Sequence, residues 1–371
     1  MKATICTPQQ VPDLLPQALA GRAVLAPVGE NAPQTLAMLQ PEVPLAEPDA
    51  AVVVATSGSS GQPKGVVLSR AALLAAAESS QQRLGPMSWT CVLPTGYVAG
   101  LMVLVRAHVA GQPVHFASPD LSDLSGPASA PGPKAISIVP TQLFRAMDHP
   151  EVLRAMARYD AILLGGAAVD PDLLARARGH GLNLITTYGM SETCGGCVWD
   201  GEPLPGVTVD LGPSAEPVEA PSGRIHLHGD MVFSGYRLAP ELTAATLQGR
   251  TVRTNDRGEW RDGRLHVLGR FDDVVISGGV NVDLAAVQRA VDAVEPDSGV
   301  VLALPDREWG SRVVLASTSA HDLQWWRTAL ADRLGRAALP RQLVAIDVVP
   351  RTSSGKIDRQ SLLGELLDEK D

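Results

Sequence analysis

The stretch that most constrains this chain is the apolar run Ala51-Val52-Val53-Val54, followed by Ala55-Thr56-Ser57-Gly58-Ser59-Ser60-Gly61-Gln62-Pro63-Lys64-Gly65. A short β-branched run reads as a buried strand. Beyond the loop, Ala71-Ala72-Leu73-Leu74-Ala75-Ala76-Ala77-Glu78 reads as a helix. Strand, Gly/Ser/Thr loop and helix in succession turn backbone N–H groups and hydroxyls toward a polyanion. Gly58, Gly61 and Gly65 permit close approach, and Lys64 adds a point charge suited to phosphate. No Gly-Lys-Ser/Thr closes the loop, so it is not a Walker A sequence. Standing alone, such a loop is more often an ordinary surface loop, and its weight depends on the other motifs of the chain.

The chain has 371 residues, 45% hydrophobic and 19% charged, and is long enough for two or three domains with a sizeable core. The net charge of −9 argues against a nucleic-acid partner or an anionic membrane surface. No apolar run approaches the roughly 18 residues of a membrane span, and the N-terminus lacks a signal peptide's apolar core. The cytoplasm is the expected compartment. Four cysteines are too few for a disulfide framework at this length.

Short strands alternate with helices from 51 to about 200: strands at 90–94, 114–116, 135–139, 159–164 and 182–186, helices at 100–110 and 171–178, the last with Asp170 as N-cap. Repeated βα units imply a largely parallel sheet with ligands at the carboxyl ends of its strands. From 201 to 268 the texture is turn-rich and β-like. Beyond Gly269-Arg270 comes an α+β unit of about a hundred residues, with helices expected at 283–294 and 322–335. The expected fold is therefore α/β: a large domain (1–269) of βα-built sheets with a small β-rich subdomain, then a small α+β domain (270–371).

Further blocks carry chemistry. Leu163-Leu164-Gly165-Gly166-Ala167-Ala168 is a tight turn after a strand. Thr187-Tyr188-Gly189-Met190-Ser191-Glu192-Thr193 offers a carboxylate and a hydroxyl, although alone it reads as a helix cap. Arg253-Thr254-Asn255-Asp256 reads as a polar turn whose Asp256 can accept two hydroxyls. Gly269-Arg270-Phe271-Asp272-Asp273 leads into Val274-Val275-Ile276-Ser277-Gly278-Gly279-Val280-Asn281, readable as a hairpin with a Gly-Gly turn. Near the end stands Pro350-Arg351-Thr352-Ser353-Ser354-Gly355-Lys356-Ile357. Cys194-Gly195-Gly196-Cys197 lacks the second ligand pair that a zinc site needs.

In this order the blocks resemble the adenylate-forming superfamily of acyl-CoA synthetases, luciferases and adenylation domains, over roughly residues 51 to 360. The resemblance implies ATP, Mg²⁺ and coenzyme A as ligands. It places Thr56, Ser57, Gly58, Ser59, Ser60, Gly61 and Lys64 on phosphate, and Gly165, Gly166 and Ala167 beside adenine. Tyr188 and Gly189 would flank the base, Ser191 would meet phosphate, and Glu192 would hold the metal. Asp256 and Arg270 would bind ribose, with Asn255 standing where the family has glycine. Asp272 would be the hinge of a mobile C-terminal domain, Gly278 and Gly279 would line a pantetheine path, and Lys356 would be the adenylation lysine. Glu192, Lys64 and Lys356 are thus the expected catalytic residues.

The segment preceding the loop is shorter than is usual in acyl-CoA synthetases. With Ser191–Gly201 it resembles a compact form of the 2-succinylbenzoate–CoA ligases of menaquinone biosynthesis. Such an acid needs a glycine-lined pocket and one buried cation. The expected lining is Tyr97, Arg106, Gly189, Met190, Gly195 and Gly196, with Tyr97 where many members have histidine. Arg106 lies in a helix apolar nearly all round; a buried guanidinium wants an anion, and a structural salt bridge would serve equally. Another aryl- or acyl-CoA ligase, a carrier-loading enzyme, or a silent ATP-binding protein on the same fold remain the alternatives. Relatives often pair, so a homodimer is a further expectation.

Overall fold

A computed structural model describes residues 1–29, 32–57, 63–212, 222–352 and 357–368. The chain divides into two compact units. One comprises Met1–Asp210, His226–Thr254 and Asp262–Leu265; the other comprises Leu211–Ile225, Asn255–Arg261 and His266–Asp371. Among the described residues no helix is long and apolar enough to cross a membrane.

The first unit holds two large sheets. In the seven-stranded sheet, Leu184–Met190, Ala161–Leu164, Lys134–Ile138, Ser88–Cys91 and Val114–Phe116 lie side by side in parallel. Gly195–Trp199 and Glu202–Pro203 extend this sheet in antiparallel fashion. Ala161–Leu164 is buried along its whole length, as a strand covered on both faces must be. The helix Val98–Ala110 buries eight successive residues, Gly100 to Ala107, which explains an apolar sequence without a polar face. The helix Pro171–Gly179 is capped by the Asp170 side chain, as its sequence implies.

The five-stranded sheet corrects one expectation. Its order is Ala3–Cys6, Val24–Pro27, Ala50–Ser57, Pro63–Ser69 and Gly235–Tyr236. The glycine-rich segment is not followed directly by a helix. The chain returns as an antiparallel strand in which Lys64 pairs with Thr56 and Gly65 with Ala55. Only then does the helix Arg70–Leu84 begin, capped by Ser69. The reason lies in Val66-Val67-Leu68, a second short apolar run, rich in valine, that is fully buried. Lys64 therefore rides on a strand.

The second unit is α+β, as expected. Val280–Asp283, Val274–Ser277, Gly310–Ser317 and Gly299–Asp306 form a sheet in that order, with Gln342–Ala345 parallel to Gly310–Ser317. Strand periodicity sorts its core. Val300, Leu302 and Leu304 face the helix Arg359–Asp368 through Leu362 and Leu366, whereas Val301 packs with Val287, Val291 and Trp326. The expected helix at 322–335 is shorter, Leu323–Leu330, with Asp322 as cap.

Candidate active site

The strand Leu184–Met190 carries Tyr188 and Gly189 and ends in a single 3₁₀ turn, Ser191–Thr193. Thr193 fixes this turn. Its buried hydroxyl accepts from Met190 N–H at 3.0 Å and lies 2.8 Å from Gly195 C=O. Gly195–Trp199 then returns antiparallel to the first strand. A Cβ on Gly189 would stand 2.1 Å from the Gly195 carbonyl oxygen, and one on Gly196 would stand 2.8 Å from Thr187 Cβ. These two glycines are therefore required by the hairpin itself, whatever occupies the pocket.

Glu192 is held at both ends. Its carbonyl accepts from Phe233 N–H at 2.9 Å, and its Oε1 accepts from the Tyr236 hydroxyl at 2.6 Å. The Lys64 ammonium lies 5.5 Å from the centre of the same tyrosine ring, within cation–π range. Lys64, paired across the strands with Thr56, and Glu192 thus both lie against Tyr236, which sequence reasoning missed. Burial and the Glu192 charge both push the Tyr236 phenol well above its ordinary range, so it is a neutral donor. The available signal was Phe233-Ser234-Gly235-Tyr236-Arg237, which holds one of only four tyrosines, set directly after an apolar run.

Arg237, also missed, anchors this region. Its buried guanidinium donates to the carbonyls of Leu39, Gln40, Val43 and Pro44, and its N–H bonds Gly65 C=O at 2.7 Å. The Gly165-Gly166-Ala167 turn follows the strand Ala161–Leu164, whose Leu164 pairs with Thr186. A Cβ on Gly165 would stand 2.3 Å from Thr187 Oγ1, so this turn packs against the residue before Tyr188. The expected phosphate-loop residues Gly58, Ser59, Ser60 and Gly61 lie outside the described residues, and of Ser57 only the strand position is described.

Of the residues expected to line an acyl pocket, Tyr97 precedes the helix Val98–Ala110, and Met102 of that helix lies 3.7 Å from where a Gly195 Cβ would stand. One turn on, Arg106 is buried. Its Nε donates to Ser80 Oγ at 3.1 Å, and its guanidinium lies 5.3 Å from the centre of the Trp89 ring. Among the described residues no carboxylate forms an ion pair with it, so the structural salt bridge finds no partner there. Burial lowers the Arg106 pKa to about 10, against the opposing influence of the nearby Cys194. Burial likewise pushes the Cys197 thiol up to about 12. Among the described residues no cluster of three metal-ligating side chains exists.

In the second unit, the motif expected as a polar turn lies within the strand Thr251–Arg261. Asn255 is extended there and needs no glycine-like conformation. It accepts from Arg224 at 2.5 Å and bonds Asp272 at 3.4 Å. Arg270 grips Asp272 with two bonds of 2.8 Å and pairs with the largely buried Asp256 at 3.4 Å. Burial alone would raise the Asp272 pKa, but the hydrogen bonds and charge of Arg270 outweigh it and hold the carboxyl below its ordinary value.

Gly278 and Gly279 form the two-residue turn joining Val274–Ser277 to Val280–Asp283, with φ of 59° and 78°. Positive φ at both positions is what a type I′ hairpin turn demands. Lys356 lies outside the described residues; its flanks Arg351 and Ile357 pair as an antiparallel bridge.

The fit to Mg²⁺ rests on the donor set. Glu192 presents a hard carboxylate with one oxygen committed to Tyr236 and the other without a hydrogen-bond partner among the described residues. This suits a metal that keeps its waters and arrives on nucleotide phosphates, held by one protein carboxylate rather than a full cage.

Residues 6–237 match the family of AMP-binding enzymes. A protein named "Probable 2-succinylbenzoate--CoA ligase" from Mycobacterium tuberculosis is 36% identical over 343 residues, 87% of this chain and 86% of that protein. The 2-succinylbenzoate–CoA ligase of Escherichia coli K12 is 30% identical over 326 residues, 83% of this chain and 67% of that protein. The o-succinylbenzoate CoA synthetase of Bacillus subtilis, solved with its acyl-adenylate intermediate, shares the fold. Its TM-score is 0.77 at 24% identity, covering 97% of this chain and 82% of that one. The order of motifs, the placing of Lys64 and Glu192 against one tyrosine and these matches agree: the chain belongs to the AMP-binding, adenylate-forming enzyme family.

Proposed function

We propose that this enzyme joins 2-succinylbenzoate to coenzyme A, consuming ATP and releasing AMP and pyrophosphate, as a step toward menaquinone. The observation that carries the choice of acid is Arg106: a buried guanidinium one turn from Met102, with no carboxylate partner among the described residues. A buried cation left without an anion costs several kcal/mol, which a second substrate carboxylate would offset.

In the first half-reaction the acid's carboxylate attacks the α-phosphorus of ATP, and the bond to the bridging oxygen of pyrophosphate breaks. In the second, the thiol of coenzyme A attacks the acyl carbonyl and AMP departs. No group of the protein becomes covalently bonded; it positions reactants and stabilises charge. Lys64 meets phosphate, Glu192 holds the metal, Tyr188 with the 165–167 turn borders adenine, and Asp256 with Arg270 takes the ribose. Bound Mg²⁺ neutralises phosphate charge as it develops on pyrophosphate. Lys356 serves the first half-reaction only, while Gly278 and Gly279 serve the second. Residues 270–371 act as the mobile part, turning at Asp272. The enzyme works in the cytoplasm, and pairing as a homodimer is part of the same reading.

The test is pyrophosphate release with ATP and Mg²⁺ across 2-succinylbenzoate, benzoate and medium-chain fatty acids, with and without coenzyme A. Turnover with 2-succinylbenzoate that yields free acyl-CoA supports the reading. Turnover with another acid alone discards the substrate but keeps the ligase. An adenylate transferred only to a carrier protein discards the thiol acceptor.

A further inference from the structure

We propose that Tyr236 is a positioning residue for adenylation, its hydroxyl orienting the Glu192 carboxylate and its ring holding the Lys64 ammonium. The inference rests on the reading of Glu192 as metal ligand and Lys64 as phosphate cation. It adds that one buried side chain sets the spacing of the two.

The tyrosine is pinned from every direction. Its strand, Gly235–Tyr236, pairs antiparallel with Val66 and Val67, two residues beyond Lys64 on the same strand. Tyr236 N–H donates to Thr243 Oγ1 at 2.9 Å, and the next residue, Arg237, donates its N–H to Gly65 C=O. The Phe233 ring meets the tyrosine ring edge-on at 4.8 Å, and only 6% of the residue is exposed. The phenol's hydrogen goes to Glu192 Oε1 at 2.6 Å. With the ring buried and its backbone paired, the hydroxyl oxygen is held in place beside the carboxylate. One oxygen of Glu192 is thereby fixed, and so is the direction of the other.

A tyrosine that merely satisfies its hydroxyl in the core would contribute stability and nothing else. Tyr236→Phe separates the two roles because it keeps the ring, the Phe233 contact and the Lys64 contact, and deletes only the orienting bond. The experiment measures equilibrium ATP binding by calorimetry over a Mg²⁺ series, for the wild type, Tyr236→Phe, Glu192→Gln and the double variant. Loss of the partner that orients a metal ligand weakens metal affinity by about tenfold or more. We therefore expect Tyr236→Phe to need about tenfold more Mg²⁺ to reach the wild-type ATP affinity. Binding of ATP without Mg²⁺ should be unchanged. In the Glu192→Gln background the tyrosine substitution should add nothing.

Wild-type Mg²⁺ dependence in Tyr236→Phe would overturn the proposal, as would full additivity in the double variant. A loss confined to thermal stability would also overturn it. A Glu192→Gln enzyme with unaltered Mg²⁺ dependence would instead remove the metal-ligand reading beneath it, and the tyrosine's role with it.

Discussion

The two charged clusters of this enzyme are built on opposite principles. Around Glu192, geometry is fixed by backbone register: paired strands, the Thr193 clamp and a buried tyrosine leave each side chain few alternatives. Around Asp256 and Arg270, geometry is held by charge. Arg270 and Asp272 are each more than a third exposed and grip each other through side-chain bonds. Ion pairs at such exposure contribute about 1 kcal/mol or less and weaken with salt. The contrast matches the work assigned to each. A metal and a transferring phosphoryl group tolerate little misplacement, whereas ribose hydroxyls and a turning segment suit contacts that exchange easily.

Substitutions in the two regions should tell these modes of construction apart. The largest effect is expected for Lys356→Ala: adenylation should fall about a hundredfold to a thousandfold, the scale of losing one charge-stabilising group. Thioester formation from preformed adenylate should proceed at close to the wild-type rate. Equal loss in both half-reactions, measured by rapid quench, would remove the lysine from its assigned step.

Arg106→Ala should raise KM for 2-succinylbenzoate about a hundredfold, as expected when a charge-paired bond worth roughly 2–3 kcal/mol is lost. A monocarboxylate analogue should be affected far less. Steady-state kinetics with both acids decides this, and indifference to the second carboxylate would take Arg106 out of the pocket.

Two glycine substitutions compare the register-fixed hairpin with the turn of the second unit. Gly189→Ala would drive a Cβ against the Gly195 backbone, which no side-chain rotation relieves, and should cost about 3 kcal/mol. Gly279→Ala meets open space and suffers only its positive φ, so about 1 kcal/mol is expected. Denaturant titration orders the two; the reverse order would contradict the distinction between a rigid and a forgiving region.

The smallest expected effect concerns Asp272→Asn. It should change unfolding free energy by less than about 1 kcal/mol, and any difference should shrink as salt rises. A large, salt-independent loss in denaturation would show that the charged cluster is as rigid as the other.

Much of this was legible in the sequence, and the features that escaped it share a physical cause. The parallel sheet, the capped helix after Asp170, the buried helix around Arg106 and the Gly278–Gly279 hairpin are each written in periodicity and turn chemistry within a few neighbouring residues. The glycine-rich segment misled because Val66-Val67-Leu68 is too short a run to separate strand from helix by pattern alone, and a helix does come after it. Asn255 misled because a polar triplet reads as a turn, whereas here its polar groups are met by Arg224 and Asp272. Tyr236 and Arg237 were invisible because their partners lie 44 and nearly 200 residues away in the chain. Long-range hydrogen bonds leave no local pattern.

A two-step reaction through an acyl-adenylate is most directly probed by exchange of labelled pyrophosphate into ATP, with 2-succinylbenzoate and Mg²⁺ present and coenzyme A absent. An acyl-adenylate formed reversibly in a separate first step predicts acid-dependent exchange without the thiol. Exchange that requires coenzyme A, or ADP and phosphate as products in place of AMP and pyrophosphate, would contradict it.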